Sequence, residues 1–101
     1  MKKHISIYYK AMNYNLGDAS EYVPSELSLS KSQDLHHLVN REDRIENLMA
    51  LTREEHIKHG EIKADMCFLL KIHRIFLLHK KVPFNNEWFE KYINQYSIYE
   101  V

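Results

Sequence analysis

Residues that cross-link a chain or interrupt its regular structure are scarce in this sequence of 101 residues, which has one cysteine, two glycines and two prolines. The single cysteine, Cys67, cannot form a disulfide within the chain. It lies in an apolar stretch, and a lone cysteine in such a stretch acts as a small hydrophobic residue in a reduced compartment. We therefore expect a cytoplasmic location.

The sequence also lacks an excess of one charge and a long hydrophobic run. Its 14 basic residues balance its 14 acidic residues, so no global positive field points to a polyanionic partner. No segment approaches the roughly 18 consecutive apolar residues of a transmembrane helix, and no apolar signal-peptide region follows the first lysines. We expect one small domain over residues 1–101 that buries roughly two thirds of its unfolded surface, with no membrane partner.

The first half of the chain carries one helical pattern and two short strand patterns. Apolar residues recur at helical spacing from Ile5 to Met12, which predicts a helix over residues 3–14. A serine-rich loop follows at residues 18–32. Residues 34–39 then suit a strand, and residues 45–51 suit a second strand or a buried turn. The last two segments would pair as a hairpin.

A helix start signal follows the hairpin. Thr52 and Glu55 are spaced as a capping box, in which each side chain binds a free backbone N–H at the start of a helix. The predicted helix runs through His56 to Gly60, where a glycine accepts the left-handed conformation common at helix ends.

The C-terminal part is predicted to contain two more helices. Apolar residues cover too much of residues 61–80 for a simple surface helix, so this segment is predicted to form much of the core. We expect His73 and His79 at its outer edge. Asn86 can cap a last helix over residues 87–96, which has one aromatic face.

Three histidines and one asparagine surround the predicted hairpin in a pattern that suits a metal centre. Adjacent side chains on a strand point to opposite faces, so His36 and His37 are expected to do different work. If the hairpin packs on the following helix, His56 could face one of them and hold a divalent cation between strand and helix. The carboxamide of Asn47 could bind backbone groups of the loop and fix the histidine strand.

The segment DLHHLVNREDRIENLMALTREEHIKHG resembles the HNH endonuclease family, in a small phage-type form. The resemblance covers roughly residues 5–60 and implies an α-rich α+β fold. Its ββα-metal core would span residues 34–60. A lead-in helix and loop at residues 1–33 would precede the core, and C-terminal helices at residues 61–101 would follow it.

The resemblance also implies a metal-dependent nuclease that hydrolyses DNA phosphodiester bonds, acting in a bacterial or phage-infected cell. His37 would be the general base, for which an imidazole is suited by its pKa near working pH. His36 and His56 would hold one divalent ion, and Asn47 would organise the loop. Mg²⁺, Mn²⁺, Ni²⁺ or Zn²⁺ all remain open, because geometry rather than spacing selects among them.

Two departures from the family pattern stand out. Many relatives have two pairs of zinc-binding cysteines, and the matching positions here are Ser25, Ser28, Thr52 and Glu55, so no structural zinc is expected. The loop between the histidine pair and Asn47 is also shorter than in relatives with a glycine-rich insert.

Other candidate residues have two interpretations each. His59 is spaced to be a third metal ligand, although a histidine in the last helical turn is also favoured by the helix dipole. Basic residues around the motif could contact DNA phosphates or form a solvated face. They are Arg41, Arg44, Arg53 and Lys58.

Three function classes stay open at this point. The first is the active endonuclease. The second is a catalytically inactive HNH scaffold that binds DNA or acts as a structural or inhibitory partner in a phage or mobile element. The third is a metal-stabilised interaction module that uses the C-terminal aromatic residues, which could also form core or a homodimer contact.

Overall fold

The computed structural model describes residues 2–13, Glu21 and residues 34–100. Within these residues the protein has an α-rich α+β architecture, with two strands and four helices. The strands are β1 (Asp34–His37) and β2 (Leu48–Leu51). The regular helices are α1 (Lys3–Met12), α3 (Met66–His79) and α4 (Asn86–Tyr96). The helix α2 between β2 and α3 begins as an α-helical turn (Arg53–Glu55) and continues as a π-helical turn (His56–Gly60).

The two strands form the predicted antiparallel hairpin. Its register places His36 opposite Met49 and His37 opposite Leu48. All four residues of β2 are buried and belong to the hydrophobic core. Residues 45–51 were expected to form a strand or a buried turn. The structure has both, a 3₁₀ turn at Ile45–Asn47 followed by β2.

Helix α2 begins as the sequence predicts and ends differently. The Thr52 hydroxyl accepts the Glu55 N–H at 3.1 Å, and the Glu55 carboxylate accepts the Thr52 N–H at 2.9 Å, so the capping box is confirmed. The prediction of a left-handed Gly60 is wrong, because its φ lies outside that region. Gly60 closes the π-helical turn, and the two histidine rings that approach it leave no room for a side chain.

The C-terminal helices start at different residues from those predicted. Ile62 has an extended backbone (φ −90°, ψ 115°) and interrupts the helical structure between α2 and the short 3₁₀ turn Lys63–Asp65. Helix α3 therefore begins only at Met66. Helix α4 is capped by Asn85 instead of Asn86, since the Asn85 side chain accepts the Trp88 N–H.

One hydrophobic core joins α1, the hairpin, α3 and α4. Its largest fully buried apolar residues come from every one of these elements: Tyr8, Leu48, Met49, Leu51, Leu69, Leu70, Leu77 and Phe89. Cys67 is buried among them as expected, and its thiol donates to the Ile93 carbonyl. The aromatic face of α4 packs into this same core, with Trp88 and Phe89 in edge-to-face contact. This packing matches the core interpretation of the aromatic residues, and a homodimer through the same helix stays a prediction.

A buried ion pair lies at the centre of the fold. His73 is fully buried rather than at the outer edge of α3, which corrects the sequence expectation. Its Nδ1 donates to the Glu21 carboxylate at 2.5 Å and its Nε2 donates to the Ile45 carbonyl at 2.7 Å. The same carboxylate accepts the Tyr8 hydroxyl and the Ala50 N–H. Burial lowers the pKa of His73, but the Glu21 carboxylate outweighs it and leaves that pKa raised. Both charges are thus satisfied by partners, as burial of charge requires.

In the part of the chain that the structure describes, every helix is too short or too polar to cross a membrane.

Candidate metal centre

The imidazoles of His36 and His56 meet between β1 and α2. Their ring centroids are 4.5 Å apart, with the planes inclined at 48°. Glu61, just after α2, completes a group in which one donor atom of each residue lies within 4.8 Å of the others. His36 is buried, His56 is partly exposed and Glu61 is exposed, so the cluster runs from the interior to the surface. Two imidazoles and a carboxylate are a donor set that suits Zn²⁺ and similar transition ions.

Hydrogen bonding fixes which nitrogen of His36 is free. Its Nε2 lies 2.8 Å from the Gly60 carbonyl oxygen. A carbonyl only accepts, so Nε2 carries the proton and Nδ1 keeps a lone pair. Burial, and then the neighbouring His56, lower the pKa of His36 from its ordinary value of 6.5. This imidazole is therefore neutral at pH 7, which is the form that binds a metal ion.

His56 is oriented by a carboxylate that the sequence reasoning did not single out. The Asp34 Oδ2 atom lies 3.1 Å from His56 Nδ1, so Nδ1 donates and Nε2 is the nitrogen free to bind an ion. Arg53 holds the other oxygen of Asp34 at 3.0 Å. A carboxylate behind a metal-binding histidine fixes the ring and raises the basicity of the ligand. A signal for this role was present, because Asp34 is two residues before His36 and shares its face of the strand.

Gly60 gives the two histidines the space to approach each other. A Cβ atom at this position would lie 2.6 Å from Cδ2 of His56 and 3.3 Å from Nε2 of His36. The first distance is far inside van der Waals contact, so any side chain at residue 60 would displace the His56 ring.

The structure does not bring His59 to this cluster. Its Nδ1 lies 3.0 Å from Asp65, an ion-pair distance, in the 3₁₀ turn that follows α2. The prediction used the three-residue spacing of an α-helix, whereas the chain here forms a π-helical turn with more residues per turn. That change rotates residue 59 away from the face of His56, and Glu61 takes the third place in the cluster.

His37 lies on the opposite face of β1 from His36, as strand geometry requires. Its Nε2 donates to the Asp43 carboxylate at 2.8 Å, which leaves Nδ1 with the lone pair. The His4 ring on α1 lies 4.8 Å from the His37 ring, centroid to centroid. The hydrogen bond from His37 holds the pKa of Asp43 below its ordinary value.

Asn47 binds the loop that follows β1. Its carboxamide oxygen accepts the Val39 N–H at 2.9 Å, and its Nδ2 donates to the carbonyls of Asn40 and Glu42, also at 2.9 Å. Asn47 is fully buried, so these bonds replace all contact with water. These hydrogen bonds fix the loop that places Asp43 beside His37. The sequence predicted that Asn47 would bind backbone groups of this loop.

Most of the candidate DNA-contacting residues are paired with carboxylates. Arg53 binds Asp34, and Lys58 binds Glu54 at 3.2 Å. Arg44 binds Glu42 and Glu46 and lies over the Trp88 ring. Among the described residues, Arg41 is the one of the four candidates that has no ion-pair partner.

One open pocket is lined by both His36 and His37, although the two side chains leave β1 on opposite faces. Its walls come from β1, from the loop after it and from α2: Leu35, His36, His37, Leu38, Val39, Asn40, Arg41, His56 and Glu61. The candidate ligands, the candidate base and the free arginine therefore line the same pocket.

Comparisons of this chain with protein-family models, with curated proteins and with solved structures found no match. Ser25 and Ser28, the two positions that the resemblance matches to zinc-binding cysteines of the HNH family, lie outside the described residues.

Proposed function

We propose that this protein is a metal-dependent endonuclease of the HNH type that hydrolyses DNA phosphodiester bonds. One observation carries the proposal: the imidazoles of His36 and His56 meet across β1 and α2, in a pocket that His37 also lines. The strand, strand and helix that hold these residues would then be a ββα-metal core. A cytoplasmic location is part of the same proposal.

The residues present fit one divalent ion. His36 offers Nδ1 and His56 offers Nε2, because the Gly60 carbonyl and the Asp34 carboxylate accept the protons of their other nitrogens. A carboxylate oxygen of Glu61 lies within 4.8 Å of one ring nitrogen of each histidine. A divalent ion held there would neutralise charge on the scissile phosphate and on the departing 3′ oxygen.

His37 would act as the general base. The Asp43 carboxylate accepts a hydrogen bond from the Nε2–H group of His37. The lone pair of Nδ1 can therefore take a proton from the attacking water. The water oxygen forms the new bond to phosphorus, and the bond to the 3′ oxygen breaks. Asp43 orients the imidazole and stabilises it once it is protonated, and Asn47 holds the loop that presents Asp43.

DNA would be engaged chiefly through Arg41. This guanidinium lies in the pocket wall and has no carboxylate partner among the described residues. Arg44, Arg53 and Lys58 would have to exchange their partners for phosphates, which makes each of them a weaker contact.

The deciding experiment is cleavage of supercoiled plasmid DNA by the purified protein with Mg²⁺, Mn²⁺, Ni²⁺ or Zn²⁺. We expect nicking or linearisation with at least one ion, and EDTA should stop it. His36→Ala should weaken metal affinity and slow cleavage, and excess metal should restore part of the rate. His79→Gln, which changes an exposed histidine on α3, is the matched control. No cleavage with any of the four ions would refute the enzymatic proposal.

A second candidate is an inactive scaffold of the same type that serves as a structural or inhibitory partner. The observation that favours it is the neutralisation of Arg44, Arg53 and Lys58 by neighbouring carboxylates, which leaves little free positive charge for DNA. Metal binding without either cleavage or salt-dependent DNA binding would favour this candidate.

A further inference from the structure

A second cluster of metal-binding side chains lies on the other face of β1. His4, His37 and Asp43 each place one donor atom within 4.8 Å of the others. They come from three separate parts of the chain: α1, β1 and the loop after β1. All three are half-buried, so the cluster is a fixed part of the fold that solvent can still reach.

The position of His4 follows from the helical pattern of α1. His4, Tyr8 and Met12 are spaced four residues apart and therefore share one face of the helix. Tyr8 and Met12 are buried in the core, and Tyr8 is also bound to Glu21. These two anchors set the rotation of α1, and they direct His4 against the His37 ring.

We propose that His4, His37 and Asp43 form a second metal site, selective for Zn²⁺ and similar transition ions, whose occupation switches off the His37 base. The site itself stands independently of the proposed nuclease function, whereas the switch rests on it. The two histidines of this site are distinct from His36 and His56, so both sites can be filled at once.

The donor set decides the class of ion. Two imidazoles and one carboxylate suit Zn²⁺, Ni²⁺ or Co²⁺, whereas Mg²⁺ prefers oxygen ligands and keeps most of its waters. Zinc takes nitrogen and oxygen ligands at roughly 2.0–2.2 Å in a tetrahedron, so its ligand atoms lie roughly 3.3 Å apart. The His37 Nε2 and Asp43 Oδ1 atoms are 2.8 Å apart, and the whole group lies within 4.8 Å. Small rotations of the three side chains are enough to reach the required geometry.

Occupation of this site removes the function of His37 as a base. A neutral imidazole has one lone pair, and the other nitrogen carries the proton. An ion held between Asp43 and Nε2 of His37 would take the lone pair of Nε2, and the proton that Nε2 carries in the free site would move through solvent to Nδ1. Neither nitrogen would then be left to accept a proton from the attacking water. The ion would also join α1 to the hairpin, because His4 and His37 belong to these two elements.

The first test is the number of Zn²⁺ ions bound per chain, measured by titration against a chromophoric chelator. We expect about two ions for the wild type and about one for His4→Gln and for Asp43→Asn. Loss of an outer hydrogen-bond partner lowers metal affinity roughly 10- to 100-fold, and loss of a direct ligand should lower it further. His36→Ala should also bind about one ion, and the control His79→Gln about two. Full retention of two ions by His4→Gln and Asp43→Asn would overturn the site, as would a single ion in the wild type that His36→Ala abolishes.

The second test addresses the switch and uses cleavage supported by Mn²⁺ or Ni²⁺ with increasing Zn²⁺. We expect Zn²⁺ to inhibit the wild type and His79→Gln, and His4→Gln to cut at the wild-type rate without Zn²⁺ and resist inhibition. Equal inhibition of His4→Gln and wild type would overturn the switch. If the wild type does not cut under any condition, the proposed function fails, and the ion count alone decides the second site.

Discussion

Replacing Gly60 by alanine should lower the metal affinity of the His36–His56 site while leaving the free energy of unfolding nearly unchanged. The added Cβ would lie 2.6 Å from Cδ2 of His56, so one of the two must move. The His56 ring is free to swing outward because about a third of its side chain is exposed. The backbone of residue 60 need not change, since its φ lies outside the region that favours glycine.

The expected energies of this change nearly cancel in the free energy of unfolding. Swinging His56 out breaks its hydrogen bond to the Asp34 carboxylate, which is worth about 1.5 kcal/mol, the low end for a bond to a charged group, because the pair is partly exposed. Alanine in place of glycine in a helical turn returns about 0.8–1.0 kcal/mol. The net effect should therefore stay within about 1 kcal/mol. Metal affinity should nevertheless fall by more than the roughly 10- to 100-fold that loss of an outer partner costs, because a direct ligand is displaced.

Two measurements on the same variant check this. Urea denaturation in the presence of EDTA gives the free energy of unfolding without metal, and calorimetric titration gives the metal affinity. Gln95→Ala, an exposed position on α4, serves as the control for both. A Gly60→Ala protein that binds metal as tightly as the wild type at the His36 site would refute the role assigned to this glycine.

Four further changes probe the remaining roles. His37→Ala should lower the cleavage rate by about 100- to 10,000-fold and leave metal affinity at the His36 site intact, as measured by plasmid nicking beside calorimetry; loss of that affinity would reverse the assignment of ligand and base. Asp34→Asn should weaken metal binding by about 10- to 100-fold at unchanged stoichiometry, and an unchanged affinity would contradict the orienting role. Asn47→Ala should lower stability and activity together, because its buried carboxamide holds the loop, and a variant that loses activity alone would point to contact with the substrate. Glu21→Gln should cost about 3 kcal/mol of unfolding free energy near pH 6, as judged by urea titration. Because the pKa of His73 is raised in the folded protein, this difference should be fully present below pH 6.5 and shrink as pH rises through the raised pKa; a difference that grows with pH would contradict the charged pair.

Sequence patterns predicted those parts of the site that depend on local geometry. Strand alternation separated His36 from His37, and the capping box at Thr52 placed the start of α2 correctly. The carboxamide of Asn47, between the hairpin and the following helix, was expected to bind backbone groups of the loop, and it does so.

The contacts that the sequence reasoning missed depend on tertiary packing or on a change in helix type. The π-helical turn moves His59 off the face of His56, and its hydrogen-bond pattern has no sequence signature. Glu21 and His73 are separated by 52 residues, so neither side chain alone indicates that it is half of a buried ion pair. The approach of His4 to His37 likewise depends on how α1 is rotated in the core.

The buried carboxylate of Glu21 has a consequence for the order in which the protein folds. Its partners include Tyr8, 13 residues earlier, and His73, 52 residues later, so the network closes only after a long loop has formed. Before His73 arrives, a charged carboxylate has no cation to accompany it out of water, and it stays hydrated. Helix α1 can therefore form early, and we expect its docking through Tyr8 and Glu21 to become favourable only when His73 on α3 joins the network. During synthesis on a ribosome, we expect α1 to dock only after residue 73 has emerged.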